Sequence, residues 1–271
     1  MTSLSPSQPR LNLIGLVLLV LWLLALLIGP ELLQAAGFAF NPHGHTQLHA
    51  HGHPFADART LWGLPNAMDV LSNLPLAVAG VAGLWAMSSH RVSLETGWAL
   101  RVFFIGLLLS SVGSAWYHAM PSPSGLVLDR IGMAVAFAGA LSLAVAERVG
   151  PSLVPAVLGL TLLTALVSAV LPLTHSNVLP WAVLQFGGVA LIVWAACQRP
   201  VSGAIGVRLG ALIALYALAK ALEMGDAAVF QATGEWISGH SLKRVAAALA
   251  AWPVLVAIQR LPLRQNPAAR R

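Results

Sequence analysis

Residues 102–118 read Val-Phe-Phe-Ile-Gly-Leu-Leu-Leu-Ser-Ser-Val-Gly-Ser-Ala-Trp-Tyr-His, an uncharged apolar run that ends on a serine and a histidine four residues apart. Runs of this kind decide the fold. About 20 apolar residues cross the hydrocarbon core of a bilayer as a helix. The 271-residue chain has eight such stretches, at 11–28, 69–88, 98–119, 126–146, 151–171, 178–196, 205–222 and 240–258. Composition agrees: 58% of residues are hydrophobic, 9% are charged and the mean hydropathy is +0.79. A soluble domain carries about 25% charged residues. Uninterrupted runs also exclude the alternating pattern of a membrane barrel. The prediction is an all-α chain, a polytopic membrane helix bundle with a seven-span core behind one N-terminal span.

The chain divides into a tail with the first span (1–29), a His-rich loop (30–56), the core (57–258) and a basic tail (259–271). The first run is longer than the apolar region of a signal peptide and lacks a small-x-small cleavage site, so it is read as an uncleaved span. With a cytoplasmic N-terminus, ten arginines fall on the inner side: Arg10, Arg91, Arg101, Arg148, Arg199, Arg208, Arg260, Arg264, Arg270 and Arg271. That positive-inside bias predicts cytoplasmic termini in a plasma (inner) membrane. It also explains the net charge of +6 without a nucleic-acid partner, because the basic residues are scattered at run ends. The single cysteine, Cys197, excludes a disulfide framework and a cysteine metal site.

Polar side chains within the membrane are expensive, so their placement carries the functional signal. Ser114 lies one helical turn before His118, Asp129 opens the next span, and His240 opens the last span with Arg244 one turn on. The topology brings these far-separated residues to one depth near the outer face. Two neutral imidazoles suit Zn²⁺, a carboxylate can serve as general base, and a hydroxyl can hold an oxyanion. Taken singly, a histidine at an interface also reads as a hydrogen-bonded residue, and Ser114 as a helix-packing hydroxyl.

The motifs Trp62-Gly-Leu-Pro-Asn66-x2-Asp69-Val-Leu-Ser72-Asn73, Ser114-x3-His118 with Asp129, and Ser238-Gly-His240-Ser-Leu-Lys243 resemble the alkaline ceramidase family. That family belongs to a superfamily of seven-span membrane hydrolases that also holds lipid-remodelling enzymes and adiponectin-type receptors. The resemblance covers about residues 57–258 and leaves the first span and the His tract as an addition. It implies zinc ligands at His118 and His240, an oxyanion stabiliser at Ser114 and a general base at Asp129. The implied reaction is hydrolysis of a ceramide-like lipid amide to a fatty acid and a sphingoid-type base. Asn66 and Asp69 fall where the family has polar residues and are candidate Ca²⁺ ligands; capping and inter-helix hydrogen bonding is the alternative.

One departure matters. The family has His-x3-His on the last span, whereas this chain has His240-x3-Arg244. Arginine stays protonated and has no lone pair to donate. Either a different third ligand serves (Asp129, Glu223, Asp226 or a histidine of the tract), or the metal site is lost. In the second case Arg244 pairs with Asp129 or clamps a lipid phosphate, and the protein binds a lipid or anionic headgroup without catalysis. The tract His43, His45, His49, His51 and His53 is a candidate for metal capture, and it motivates a third reading as a metal-handling protein. Lys220 and Glu223, spaced i,i+3, read as mutual neutralisation. His90 and His175 read as solvated residues of short connections. Trp62, Trp181 and Trp236 read as interfacial anchors.

Overall fold

In a bilayer no hydrophobic drive brings helices together, so close approach depends on small side chains. The run quoted above forms α4 (Leu94–Ala119), and the next forms α5 (Pro123–Arg148). These two are packed by glycines spaced seven apart: Gly106 and Gly113 on α4, Gly132 and Gly139 on α5. A Cβ at any of them would lie 2.1–2.6 Å from backbone of the other helix, so only glycine allows this approach. Serine caps fix where both helices begin. Ser93 accepts from Thr96 N, and Ser122 accepts from Gly125 N at 3.1 Å with Pro123 at the first helical position.

The computed structural model describes residues 7–37, 55–175 and 177–264. In chain order the other elements are α1 (Gln8–Ala35), α2 (Ala67–Leu71), α3 (Leu74–Ser89), α6 (Val154–His175) after a 3₁₀ turn, and α7 (Leu179–Ala196). Then follow α8 (Leu209–Met224), α9 (Asp226–Ala232), α10 (Gly239–Leu249) and α11 (Trp252–Gln259). The protein is an all-α polytopic bundle. Among the described residues seven helical segments are long and apolar enough to cross a membrane, the pairs α2–α3 and α10–α11 each counting as one.

Two breaks have proline as their cause. Pro75 cannot donate to the preceding turn, and the chain bends between α2 and α3, where Asn73 Nδ2 donates to the Asp69 and Val70 carbonyls. Pro253 divides α10 from α11 at Ala250–Ala251 in the same way. α1 reaches Ala35, through Pro30, and is longer than its apolar run predicts. It leans on α7 and α6: Asn177 Nδ2 donates to Ala25 O at 2.9 Å, and Trp22 Nε1 donates to Ser168 Oγ at 2.8 Å.

The stretch expected to span from 205 to 222 differs. Its helix α8 has only 16 residues, about 24 Å at 1.5 Å per residue. The reason lies in Glu147, at the end of α5. Its buried carboxylate accepts three backbone N–H groups, from Ile205 (2.7 Å), Gly206 (3.0 Å) and Val207 (2.9 Å). These donors are held in an extended strap with Gly206 at φ +87°, which excludes them from a helix. The His tract at 43–53 lies outside the described residues.

Candidate functional site

The last two turns of α4 place Ser114 and His118 on one face, both fully buried. α10 starts beside them because Ser238 caps it, accepting from Ser241 N at 3.0 Å. His240 therefore sits in the first turn of α10, with Arg244 one turn further. The α4–α5 glycine contact brings Asp129 to the same place.

Arg244 is the hub. Its Nη1 donates to Ser114 Oγ and to Asn73 Oδ1 (2.8 Å), and stands 3.7 Å from Asp129 Oδ1. Its Nη2 donates to His118 Nε2 and, at 3.2 Å, to His240 Nε2. A guanidinium only donates, so in these contacts both Nε2 atoms act as acceptors. The two Nε2 atoms lie 3.3 Å apart. Four of the expected residues thus converge on the fifth.

Asn66 and Asp69 belong to a support around this centre. Asn66 Nδ2 donates to the His118 carbonyl at 2.7 Å. Asp69 Oδ1 accepts the hydroxyls of Ser241 (2.6 Å) and Ser238 (3.1 Å), tying α2 to the start of α10. Asn66 Nδ2 and Asp69 Oδ1 are thus engaged in inter-helix hydrogen bonds to different partners, while Asp69 Oδ2 is buried without a hydrogen bond among the described residues.

The proposed substitutes for a third ligand are placed as follows. Asp226 holds the start of α10: Oδ1 accepts from His240 N (2.7 Å) and Oδ2 from Ala56 N (3.0 Å). Glu223 lies between Lys220 (2.6 Å) and Lys243 (2.5 Å). Asp129 remains nearest, beside Arg244. Among the described residues no group of three His, Cys, Asp or Glu side chains is placed to hold a metal ion. As arranged, the donor set does not fit zinc: two imidazole lone pairs are present, and the guanidinium they accept from lies where the cation would.

Two participants were not assigned from the sequence. Asn73 gives the guanidinium its neutral acceptor; it closes the motif that opens the core, where the sequence reading gave it no role of its own. Phe55 is fully buried and covers the imidazoles, its ring centroid 4.3 Å from that of His118 and 5.0 Å from that of His240. An aromatic residue in a polar connection was its only signal. The same connection is clamped by Asp57, which accepts from Arg59 Nε (2.7 Å) and Nη2 (2.6 Å); this hydrogen bonding raises the Arg59 pKa above its ordinary value. Arg59 also donates to the Trp236 carbonyl at 3.0 Å.

The remaining sequence candidates lie apart. His90 Nδ1 is 2.8 Å from Ala86 O, and His175 is exposed at the end of α6. Cys197 is exposed at the end of α7. Trp181 is buried in the bundle, whereas Trp62 and Trp236 are exposed.

No protein-family model, no curated protein and no solved structure matches this chain.

Proposed function

We propose that this multi-pass membrane protein binds a lipid amide of the ceramide class at a metal-free polar centre, in which the Arg244 guanidinium stands in for a third ligand and its cation. One observation carries the reading: Arg244 Nη2 engages the Nε2 atoms of both His118 and His240. The positive charge that a metal would bring is supplied by the chain itself, and the two lone pairs are satisfied by N–H donors.

The groups left for a ligand suit an amide. Ser114 Oγ accepts from Arg244, so its own O–H is available to a lipid carbonyl. Asp129 Oδ1 is buried with no hydrogen-bond partner among the described residues and accepts an amide N–H or a sphingoid hydroxyl. The resemblance of three separated motifs to alkaline ceramidases supports the choice of lipid. The arginine distribution supports cytoplasmic termini, with the centre towards the outer face.

A zinc-dependent hydrolase of the same lipid amide is the second reading, favoured by one distance. The Nε2 atoms are 3.3 Å apart. Two ligands about 2.0–2.1 Å from a tetrahedral zinc stand about 3.3–3.4 Å from each other. That reading requires Arg244 to leave and a third donor to take its place.

The test uses the purified full chain in detergent with radiolabelled N-palmitoyl sphingosine, following both retention of the lipid and release of palmitate. The expected result is saturable retention without release. Ser114→Ala and Asp129→Asn should each weaken retention by about five- to tenfold, one hydrogen bond apiece. Release of palmitate that His118→Ala abolishes overturns the proposal in favour of the hydrolase.

A further inference from the structure

Glu223 occupies the last turn of α8 with a lysine on each carboxylate oxygen. Oε2 accepts from Lys220 Nζ at 2.6 Å and Oε1 from Lys243 Nζ at 2.5 Å. The two-residue neutralisation that i,i+3 spacing predicts is thus a three-charge cluster with one positive charge in excess. An ammonium carries three N–H donors. Each lysine gives one to Glu223, and neither has a further hydrogen bond among the described residues.

These three side chains line one end of a cavity of about 190 Å³, whose wall is otherwise mostly apolar, with Phe103, Met133, Phe137 and Leu212. The lining follows α8 from Leu212 to Glu223, about 16 Å at 1.5 Å per residue. An excess charge within a membrane protein is expensive unless a counter-charge meets it. Here the lysine donors that Glu223 does not use and the excess charge sit together at one end of the mostly apolar cavity, with Lys220 partly exposed and Lys243 largely buried.

We infer that the Lys220–Glu223–Lys243 cluster is a binding site for the carboxylate of a long-chain fatty acid, whose alkyl chain occupies the cavity. A single negative charge completes the cluster. A phosphate monoester brings about −1.5 to −2 and overshoots it. Lys220, Glu223 and Lys243 do not belong to the histidine centre, although Arg244, its hub, also lines the cavity.

The experiment is saturation binding of tritiated palmitate to the purified full chain in dodecyl maltoside, with competition by methyl palmitate and hexadecyl phosphate. On the native protein, methyl palmitate should compete about tenfold or more weakly than palmitate, the effect of losing charge-assisted hydrogen bonds. Lys220→Met and Lys243→Met should each weaken palmitate binding about tenfold or more, whereas Glu223→Gln, which adds to the excess positive charge, should keep it. Equal competition by acid and ester overturns the inference, and this comparison needs no variant to fold. Native-like palmitate binding in folded lysine variants overturns it as well. Stronger competition by hexadecyl phosphate overturns the carboxylate and assigns the site to a phosphate head. Retention of N-palmitoyl sphingosine is measured in parallel. On the native protein, absence of saturable palmitate binding with sphingolipid retention intact sinks this inference, and absence of sphingolipid retention with palmitate binding intact sinks the lipid-amide reading.

Discussion

Gly106→Ala adds one methyl group where α4 meets α5, and the structure says what that methyl must displace. Its Cβ would lie 2.1 Å from Ala136 N and 2.4 Å from Ala136 Cα, both backbone atoms that no rotamer change can move. The helices must part by about 0.9 Å to bring the nearest contact to the 3.0 Å at which real Cβ atoms begin to be found. A gap of 0.5–1 Å forfeits about a quarter to a half of the dispersion attraction across it. Overpacking of this kind costs about 1–3 kcal/mol, and because a whole helix pair opens, the cost should fall at the upper end. Alanine returns about 0.5–1 kcal/mol of helix propensity, which leaves a net loss of about 2 kcal/mol. Gly139→Ala clashes with Phe103 N at 2.3 Å across the same interface, so one separation accommodates both methyls. The double variant should therefore lose less than the sum of the singles, by about 1 kcal/mol. Gly159→Ala on α6, with nothing within 4 Å, is the control and should be neutral or stabilising. Unfolding in mixed micelles, followed by circular dichroism against SDS mole fraction, reads the native protein and all four variants. The reasoning is refuted if Gly106→Ala is as stable as Gly159→Ala, or if the two clashing substitutions are additive. The same separation moves Asp129 away from Arg244, so retention of the lipid amide should fall in parallel.

Two further outcomes follow from buried charges. Glu147→Gln offers one oxygen to three backbone donors, so at least one buried N–H loses its partner, at about 1–3 kcal/mol. Limited proteolysis should then cut within residues 201–208, where the native chain resists. Arg244→Met leaves the Asp129 carboxylate buried without its cation, a loss of about 3–5 kcal/mol. Asp129→Asn in that background should recover part of it, measured as a double-mutant cycle in the same unfolding assay.

The apolar runs made the class of fold legible, because backbone satisfaction in lipid leaves few alternatives to a helix. The convergence of Ser114, His118, Asp129, His240 and Arg244 was legible as well, since i,i+4 spacing and alternating span direction set their depth. What escaped depends on contacts between distant residues. The shortened α8 is imposed by Glu147, 58 to 60 residues away from its strap, while the local sequence from 205 onward reads as apolar helix. Lys243 joins Glu223 across 20 residues and a turn of chain, so only the Lys220 half of that cluster was visible. Phe55 carries no periodic signal, and its place over the imidazoles is set by Asp226, which holds Ala56 N and His240 N on one carboxylate. For Arg244 the sequence left two outcomes open, pairing with Asp129 or clamping a phosphate; the structure gives it both histidines, Ser114 and Asn73 in addition to the Asp129 pair.

Whether Arg244 fills the place of a metal decides between the two readings of the site. The direct measurement is zinc titration by calorimetry, with metal analysis of the dialysed protein, on the native chain and on Arg244→His. The expected result is no stoichiometric zinc in the native protein and one zinc per chain in Arg244→His, lost again when His118→Ala is added. Stoichiometric zinc in the native protein that His118→Ala removes would contradict it, as would an Arg244→His protein that folds and stays metal-free.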